Sequence, residues 1–525
     1  MSTDCHRLGD LLRHAARAHP ERNALWHEHH WHGYAALANR AERTARQFAD
    51  ACAVRPGDRV AILLENSPDH VVAVFGAFFA GAVEVSLATD VTAESLAWLL
   101  LDSGARVLVC GRRFAGMLPS ALAGAPGLEH VVFDSLPRSE AMPTLPARVA
   151  IHELPPPATA AVDPVEVHAD DEHALASLVY TSGSTGRPKG VMLSHANLLS
   201  NTRAIATYLA LDANDRVLAV LPFHYSYGRS LLYTHLLVGG SVVIENRFAY
   251  PNVALDTLER THATGFAGVP STFSILLARS TLRTRRFPSL RYVTQAGGAL
   301  APGVLTEAAK AFAPARFFVM YGTTEASPRL TWLDPAMLQT KLGSIGKAVP
   351  GVEVFVAGPD GRRLERGQVG EIAARGPNIM LGYWGDPAGT AAVLRDGTFF
   401  TGDLGREDED GFLFVEGRIK DIIKCGGNRV SAREIEEAIV ANDGVLEAAV
   451  IGVPDPILGE AIKAFVVPKE GVRLDRTELE RWLAVRLPPT KRPRWLELRA
   501  DLPKNAAGKV LKAALRESER KTAAS

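Results

Sequence analysis

The hydrophobic positions along the chain fall into two alternating kinds of segment. Short apolar runs such as DRVAILLEN (58–66) and ARVLVCG (105–111) predict buried strands, and longer apolar stretches such as SPDHVVAVFGAFFAGA predict the helices between them. This alternation is typical of a parallel sheet covered by helices. After an acidic, proline-rich connector the pattern resumes at ALASLVYTSGSTGRPKG and continues to about Ser327, which predicts a second sheet unit.

The last third of the chain has a different pattern. Between Gly343 and Gly417 short strands alternate with glycine turns, as in GVEVFVAG, VGEIAARG and GFLFVEG, which predicts a small β-barrel or β-meander. Beyond it, Ser431 and Glu434 predict a capping box that opens a helix, and AAVIGVP, AIKAFVVP, TELERWLAVRL and WLELRA predict strand, strand, helix and strand.

These patterns predict an α/β protein with two domains. The large N-terminal domain covers residues 1–419 and contains two parallel-type α/β subdomains, at about 1–170 and 171–342, followed by the small β-barrel at 343–417. The small C-terminal domain covers residues 420–525 and is of the α+β class.

Composition and charge exclude several classes of protein. The 525 residues are 47% hydrophobic, and Lys plus Arg equals Asp plus Glu at 58 each, so no overall charge attracts nucleic acid. The four cysteines are scattered without a CxxC pair or a zinc spacing, which favours a reducing cytoplasm. Charges interrupt the N-terminal residues, and no apolar run approaches the roughly 20 residues of a membrane helix. We therefore expect a cytoplasmic protein without a transmembrane segment.

The strongest local signal is the segment Thr181-Ser-Gly-Ser-Thr-Gly-Arg-Pro-Lys-Gly190. It follows the apolar run ASLVY and precedes a helix that we expect Ser194 to cap. A strand, a polar glycine loop and a helix form a phosphate-binding layout, in which glycines let the backbone approach a ligand, hydroxyls donate hydrogen bonds and a lysine supplies charge. The predicted ligands of the phosphates are Thr181, Ser182, Gly183, Ser184, Thr185, Gly186 and Lys189.

Two other interpretations of this loop are available. A flexible surface linker explains the same composition, although linkers rarely end in a Lys-Gly pair between buried elements. A P-loop requires GxxxxGK[ST], whereas Lys189 is followed by Gly190 and Val191.

A second polar cluster, Tyr321-Gly-Thr-Thr-Glu-Ala-Ser327, follows the apolar strand FFVM. Open α/β sheets bind ligands at the carboxyl ends of their strands. Glu325 is a hard oxygen ligand suited to Mg²⁺, and Thr324 offers a hydroxyl to a phosphate. A solvated turn explains the same residues if the cluster is taken alone.

Further blocks follow in a fixed order: Thr401-Gly-Asp403, Gly417-Arg-Ile-Lys-Asp421, Lys424 with Gly427 and Glu434-Ile-Glu436, and Pro503-Lys-Asn-Ala-Ala-Gly-Lys509. Together with the two earlier clusters they resemble the adenylate-forming superfamily of acyl-CoA synthetases, carrier-protein adenylation domains and firefly luciferase. The resemblance covers nearly the whole chain.

This resemblance implies a nucleotide site. Asp403 would accept both ribose hydroxyls, Arg418 would lie beside the ribose and phosphates, and the turn Gly297-Gly298-Ala299 would lie beside the adenine. Tyr321, Gly322 and Thr323 would contact the nucleotide, and Glu325 with Thr181 would hold Mg²⁺. As isolated residues, Asp403 and Arg418 are more often surface polar groups.

The resemblance also implies a mobile C-terminal domain with a hinge at Lys420. In one pose Lys509 reaches the acid and the α-phosphate of ATP, where a cation assists the attack of one anion on another. In the second pose the segment from Lys424 to Gly427 lines a tunnel for a pantetheine thiol. This chain has Asn505-Ala506-Ala507 where many relatives carry Thr, Pro or Ser.

The acid is predicted from the residues around His224 in LPFHYSYG, a segment that resembles the floor of the family's acid pocket, although a satisfied core histidine is the plainer interpretation. Relatives that activate α-amino acids commonly carry Asp at this point, so an α-amino acid is disfavoured. Gly322 replaces the Trp of acetate-specific members, which predicts a deeper pocket. The expected lining is small or apolar and favours a fatty or an aromatic acid: Tyr227, Gly228, Phe266, Gly268, Val269, Ala296 and Thr323.

The predicted reaction is the conversion of a carboxylic acid and ATP to an acyl-adenylate, followed by acyl transfer to coenzyme A. Coenzyme A is favoured because the chain carries no appended carrier domain, but an acyl carrier protein is an alternative acceptor. A non-catalytic nucleotide-binding regulator is the alternative of another class, which the presence of Lys509, Glu325 and Asp403 disfavours. A luciferase-like oxygenase shares the first half-reaction.

Overall fold

A computed structural model describes residues 5–158, 162–165, 171–181, 188–425, 428–504 and 510–524. The α-helices of these residues are α1 (Leu8–Ala18), α2 (Tyr34–Asp50), α3 (Pro68–Phe79), α4 (Ala93–Ser103), α5 (Leu118–Ala123), α6 (His195–Tyr208), α7 (Ser226–Val238), α8 (Pro251–Arg260), α9 (Pro270–Arg279), α10 (Pro302–Ala311), α11 (Pro387–Val393), α12 (Ala432–Val440), α13 (Arg476–Arg486) and α14 (Lys512–Ala524). No helix within these ranges combines the length and the apolar character that crossing a membrane requires.

The strands of the same residues alternate with these helices through the first two thirds of the chain. They are β1 (Asn23–His27), β2 (His30–Gly33), β3 (Arg59–Leu63), β4 (Val83–Ser86), β5 (Val107–Cys110), β6 (His130–Phe133), β7 (Ala150–Glu153), β8 (Leu175–Thr181), β9 (Lys189–Ser194), β10 (Arg216–Ala219), β11 (Ser241–Ile244), β12 (Gly265–Gly268), β13 (Tyr292–Gln295), β14 (Arg316–Tyr321), β15 (Thr331–Leu333), β16 (Ser344–Ala348), β17 (Glu353–Ala357), β18 (Val369–Arg375), β19 (Gly382–Tyr383), β20 (Leu394–Arg395), β21 (Thr398–Glu407), β22 (Leu413–Arg418), β23 (Ile422–Cys425), β24 (Asn428–Ser431), β25 (Val445–Asp455), β26 (Gly459–Pro468) and β27 (Trp495–Leu498).

The described strands form three sheets. The first has the order β19-β9-β8-β4-β3-β5-β6-β7, and the second runs β17-β18-β21-β22-β16-β15-β14-β13-β12-β10-β11-β1-β2, with β20 beside β21. The third sheet, in the C-terminal domain, has the order β24-β23-β26-β25, with β27 beside β26. The predicted α/β class and the small α+β domain are confirmed.

Helix α3 packs in the largest apolar cluster, which includes buried residues of both large sheets. Every residue of α3 except Asp69 is buried, which explains why its sequence is apolar on all sides. Its first turn is capped by Ser67, whose hydroxyl accepts a hydrogen bond from the His70 amide at 3.1 Å. The predicted helix between two buried strands is confirmed.

The strand pairing departs from the predicted subdomain boundary at residue 170. Strand β8 pairs with β4 of the first sheet through Ser177 and Glu84, and β9 follows it as an antiparallel partner. Conversely, β1 from the start of the chain pairs with β11 of the second sheet. The two parallel-type units therefore exchange strands, and a contiguous division at 170 is wrong for these elements. The boundaries at 342 and 417 stay predictions.

The region from Gly343 to Gly417 contains antiparallel strands, as predicted. β17, β18, β21, β22 and β16 pair in that order, and β16 continues through β15 into the second sheet. This region is therefore joined to the large sheet by strand pairing, which places Asp403 on β21 close to Tyr321 on β14.

The predicted capping box at the start of α12 is wrong, although Ser431 is the residue before the helix. Its hydroxyl donates to the Glu416 carbonyl at 2.6 Å instead of accepting from the helix, and Glu434 pairs with Lys491 at 2.7 Å. The carbonyl at the end of β22 competes for the hydroxyl. Ser431 thus links the C-terminal domain to the N-terminal domain.

Candidate functional site

The carboxylate of Asp403 is a buried part of the site. The Tyr321 hydroxyl donates to Oδ2 at 2.7 Å, and Arg418 Nε donates to Oδ1 at 2.7 Å. The register of β21 and β22 sets this contact because Asp403 is the Cα partner of Arg418. Each carboxylate oxygen has two lone pairs, so both oxygens can still accept from a diol. The free lone pairs of this carboxylate can therefore accept from two neighbouring hydroxyls.

Burial and the neighbouring Asp403 carboxylate raise the pKa of Tyr321 well above its ordinary value, so Tyr321 acts as a hydrogen-bond donor. Burial opposes the charge of Arg418, but Asp403, Tyr321 and Asp421 together raise its pKa above the ordinary value. This part of the site therefore holds a fixed cation beside a fixed carboxylate.

Glu325 lies directly after β14, in a short 3₁₀ turn, as predicted for the carboxyl end of a parallel strand. Its Oε1 accepts a hydrogen bond from the Tyr383 hydroxyl at 2.8 Å. Tyr383 is on β19, so this contact joins the edge of the first sheet to the end of a strand in the second. Thr324 is held at 3.1 Å from Ser226 through their hydroxyl oxygens.

The donor set at Glu325 fits a hard divalent cation. A carboxylate oriented by one hydrogen bond, with hydroxyls nearby, offers the oxygen ligands that Mg²⁺ prefers, and phosphate oxygens and water usually complete its octahedron. Thr181, the other predicted ligand, is the last residue of β8, and its Oγ1 lies 3.5 Å from the Lys189 carbonyl oxygen.

The loop predicted to bind phosphates connects two strands of a hairpin, so the predicted strand-loop-helix layout is wrong. Residues 189–194 pair with β8 because Val191 and Leu193 face the core, and α6 begins only after Ser194. Ser194 does cap that helix, accepting from the Asn197 amide at 3.1 Å. The loop residues Ser182, Gly183, Ser184, Thr185 and Gly186 lie outside the described residues.

Lys189, the predicted phosphate cation, is engaged within the protein. Its Nζ is 2.8 Å from Asp386 Oδ2 and 4.7 Å from the centre of the Tyr383 ring. Asp386 also caps α11 through a hydrogen bond from the Gly389 amide at 2.7 Å. A polyphosphate would have to compete with Asp386 for this ammonium group.

His224 is directly followed by α7, which begins at Ser226. Burial, with the nearby charges of His70 and Arg229, lowers the pKa of His224 to about 3. The imidazole is therefore neutral at physiological pH.

The turn predicted to contact adenine is shaped by packing. Gly297 has φ +86°, and a Cβ built there would lie 2.9 Å from the Tyr225 hydroxyl oxygen. Gly298 and Ala299 are exposed, and Gln295 holds the turn by donating to the Gly298 carbonyl at 2.8 Å. A side chain at residue 297 would therefore strain the backbone and crowd Tyr225.

Two expectations about the acid pocket need correction. A Cβ at Gly322 would lie 1.9 Å from the Pro328 carbonyl oxygen, so backbone fills that space and the glycine does not itself deepen a pocket. Phe266 is completely buried and packs against Phe273 and Phe312 in the core, with ring centres 6.1 and 5.6 Å apart. Phe266 therefore does not belong to the lining.

Lys420 lies in the short turn Ile419–Asp421 between β22 and β23, where the sequence predicts the hinge. Partial burial and the neighbouring Arg418 lower its pKa. Lys424 is exposed on β23, whereas Gly427 and Lys509 lie outside the described residues.

Sequence reasoning missed Tyr383 and Asp386, which contact Glu325 and Lys189. Both lie within the segment NIMLGYWGD, whose spacing carries no signal for this role. The buried pair Glu84 and Arg229 beneath His224 was also missed, although a Glu inside the apolar strand VEVS and an Arg inside an apolar helix were signals.

Comparison with known proteins agrees with this geometry. Residues 12–384 match the family model "AMP-binding enzyme", and residues 434–509 match "AMP-binding enzyme C-terminal domain". The chain is 37% identical to a feruloyl-CoA synthase of Amycolatopsis sp., over 97% of this chain and 98% of the relative. It is 32% identical to a long-chain-fatty-acid–CoA ligase of Bacillus subtilis (strain 168), over 90% and 87%.

The crystal structure of the anthranilate CoA ligase AuaEII in complex with anthranoyl-AMP matches this chain with a TM-score of 0.88 at 26% identity. The match covers 99% of this chain and 98% of that one. The family models and the relatives both span most of the chain. The chain therefore belongs to the AMP-binding enzymes of the adenylate-forming superfamily, in the branch of acyl-CoA synthetases.

Proposed function

We propose that this protein is an ATP-dependent carboxylic acid:coenzyme A ligase that acts on an aromatic acid. The observation that carries the proposal is the polar site formed where β14, β19 and β21 meet, in a chain that matches the AMP-binding family along most of its length. Within it, Asp403, the carboxylate suited to a diol, contacts Tyr321 at the end of β14, and Glu325, the carboxylate suited to a cation, follows the same strand.

In the first half-reaction a carboxylate oxygen of the acid attacks the α-phosphorus of ATP. The bond from that phosphorus to the bridging oxygen of pyrophosphate breaks, and acyl-AMP and pyrophosphate form. Asp403 would hold the ribose hydroxyls, Arg418 the phosphate side, and Gly297, Gly298 and Ala299 the adenine. Mg²⁺ bound by Glu325 and Thr181 would neutralise phosphate charge.

Two cations of this chain would assist the attack. Lys189 and the loop from Ser182 to Gly186 would hold the β- and γ-phosphates, and Lys509 would lie between the acid and the α-phosphate. Because both reacting groups are anions, a positive charge between them lowers the barrier. His224, neutral at working pH, would contribute a hydrogen bond at the acid.

In the second half-reaction the thiol of coenzyme A, as thiolate, attacks the acyl carbon. The bond from that carbon to the phosphate oxygen breaks, releasing AMP and the thioester. Rotation about Lys420 would remove Lys509 and bring the segment from Lys424 to Gly427 to the thiol.

The sequence alone favours either a fatty or an aromatic acid, and of these two an aromatic acid is now proposed. It is supported by the feruloyl-CoA synthase at 37% identity and by the similarity to an anthranilate CoA ligase. A neutral His224 also offers no charge for an ammonium group, which argues against α-amino acids. The fatty-acid ligase at 32% identity keeps long-chain acids as the second candidate.

The test is thioester formation from ATP and coenzyme A with a matched panel of hydroxycinnamic, benzoic, aminobenzoic, medium-chain and long-chain acids. The proposal expects kcat/KM for the best aromatic acid to exceed that for the best fatty acid at least tenfold. A preference for fatty acids would overturn the choice of acid. AMP release without a coenzyme A product would point to a carrier protein, and no AMP release with any acid would point to a regulator.

A further inference from the structure

The fold brings together a cysteine and two histidines that are far apart in the sequence. Cys52 follows α2, His130 begins β6, and His152 is on β7 at the edge of the first sheet. One ligand atom of each residue lies within 4.8 Å of the others. Cys52 is completely buried, and the two histidines are half-buried beside it.

Strand register explains why the two imidazoles meet. Ala150 is the Cα partner of His130 and Val132 is that of His152, so the histidines are diagonal neighbours on the same face of a parallel pair. His130 Nδ1 is 3.1 Å from His152 Nε2. The thiol of Cys52 approaches them from the turn after α2.

A thiolate and two imidazole nitrogens are the ligands of a tetrahedral zinc ion. With zinc-ligand bonds of typical length, the two nitrogens of such a site are about 3.3 Å apart and each nitrogen is about 3.6 Å from the sulfur. The observed nitrogen separation of 3.1 Å is within about 0.2 Å of this value, and the sulfur has to approach by no more than about 1.2 Å.

We propose that Cys52, His130 and His152 bind one zinc ion, with water as the fourth ligand. Binding transfers the thiol proton to solvent, and both imidazoles coordinate as neutral groups. In the protein without zinc the facing nitrogens share a hydrogen bond, which the ion replaces.

The surrounding charges do not oppose a cation. Arg106 is the nearby positive residue, and its guanidinium donates to Asp58 at 3.0 Å and to Glu129 at 2.6 Å. Its charge is thus balanced by two carboxylates. The carboxylate of Glu129, next to His130 in the chain, adds negative charge near the site.

The site lies at the opposite edge of the first sheet from the adenylation site. Tyr383 is on β19 at one edge and His152 is on β7 at the other, with six strands between them. Seven strand spacings of about 4.8 Å place the two edges roughly 34 Å apart. Zinc there ties the end of α2 to β6 and to the edge strand β7. Its role is structural and independent of the proposed ligase reaction.

The test uses the untagged full-length chain, freed of metal with a chelator and titrated with Co²⁺. The proposal expects one equivalent to bind with tetrahedral visible bands and a thiolate-to-cobalt charge-transfer band in the near ultraviolet. Zn²⁺ should displace the cobalt and raise the temperature of unfolding. Cys52→Ala should abolish the charge-transfer band, and His130→Gln and His152→Gln should each weaken binding at least tenfold.

Two controls separate this site from others. The histidine-rich tract of β1, β2 and the turn between them, with His27, His29, His30 and His32, is a competing place for a divalent metal. A His29→Gln, His30→Gln double variant should therefore keep the charge-transfer band. Cys425→Ser, in the C-terminal domain, should keep it as well.

Each of three results would overturn the proposal. The chain could bind no cobalt, it could bind cobalt without a charge-transfer band, or the band could persist in Cys52→Ala. If Cys52→Ala does not fold, His152→Gln on the exposed edge strand decides the question by the loss of stabilisation by Zn²⁺.

Discussion

Arg229 on α7 forms an ion pair with Glu84 on β4, with 2.7 Å between Nη1 and Oε2. The two side chains are 4% and 0% exposed. Ser177 donates to the same carboxylate at 2.6 Å, and Arg229 Nε donates to the Phe223 carbonyl at 3.1 Å, one residue before His224. The pair therefore fixes the segment that carries His224 against the first sheet.

Removing the negative partner should destabilise the protein and loosen this segment. Glu84→Gln leaves the Arg229 charge buried, and breaking a buried pair costs about 3–5 kcal/mol. We expect a lower unfolding midpoint in urea and a KM for the acid raised more than the KM for ATP. The double variant Glu84→Leu, Arg229→Met should recover stability but not the KM, because Arg229→Met removes the hydrogen bond to the Phe223 carbonyl. Equal increases of both KM values would contradict a positioning role at His224.

Asp386 should compete with ATP for Lys189. Asp386→Asn removes the charge but keeps a side chain able to cap α11. Because the pair is about one third exposed, solvent screens it, and we expect the KM for ATP to fall by no more than about fivefold. Steady-state kinetics at saturating acid measure this effect. A KM that rises instead would identify Asp386 as a group that positions Lys189.

Tyr383 should orient Glu325 for the metal. Tyr383→Phe removes the 2.8 Å hydrogen bond to Oε1 and keeps the ring beneath Lys189. We expect the Mg²⁺ concentration for half-maximal activity to rise a few fold with little change in the unfolding temperature. Glu325→Gln should abolish Mg²⁺-dependent activity. If Mg²⁺ dependence is the same in Tyr383→Phe and the native protein, Tyr383 has no such role.

Three buried histidines and the half-buried His224 should make the fold sensitive to acid. Burial lowers the pKa of His70 and His235 to about 4 and of His195 and His224 to about 3. An unfolded histidine has a pKa of about 6.5, so below that pH the unfolded chain binds protons that the folded chain does not. Each histidine therefore reduces stability by about 1.4 kcal/mol per pH unit as the pH falls from about 6.5 toward its folded pKa.

Thermal unfolding at a series of pH values measures this loss. His195→Asn keeps an acceptor for the Leu8 amide and should reduce the pH dependence of the unfolding temperature. The control His173→Gln, at an exposed position, should leave that dependence unchanged. An unfolding temperature that does not change between pH about 6.5 and about 5 would show that these histidines are protonated in the fold.

Much of the fold was predictable because buried strands and helices require a local pattern of apolar residues in the sequence. Strand β3 and helix α3 follow from apolar runs, and Tyr321 and Glu325 follow from the end of a parallel strand. The exchange of β1 and β8 between sheets was not predictable, since apolar periodicity identifies a strand but not its partner. Lys189 was identified from its motif. Its 2.8 Å contact with Asp386 was not predictable, because it depends on β19, a strand of two residues that is too short to leave a pattern in the sequence.

The zinc ligands were missed for the same reason. Cys52, His130 and His152 have no metal-binding spacing, and only the register of β6 against β7 brings them together.

The central claim is that the chain forms an acyl-adenylate before it meets a thiol. It is tested most directly by acid-dependent exchange of labelled pyrophosphate into ATP without coenzyme A, in the native protein and in Lys509→Ala. We predict exchange with an aromatic acid in the native protein and loss of exchange in Lys509→Ala, with thioester formation from a supplied acyl-adenylate largely retained. Thioester formation without any exchange, or equal loss of both half-reactions in Lys509→Ala, would contradict the account.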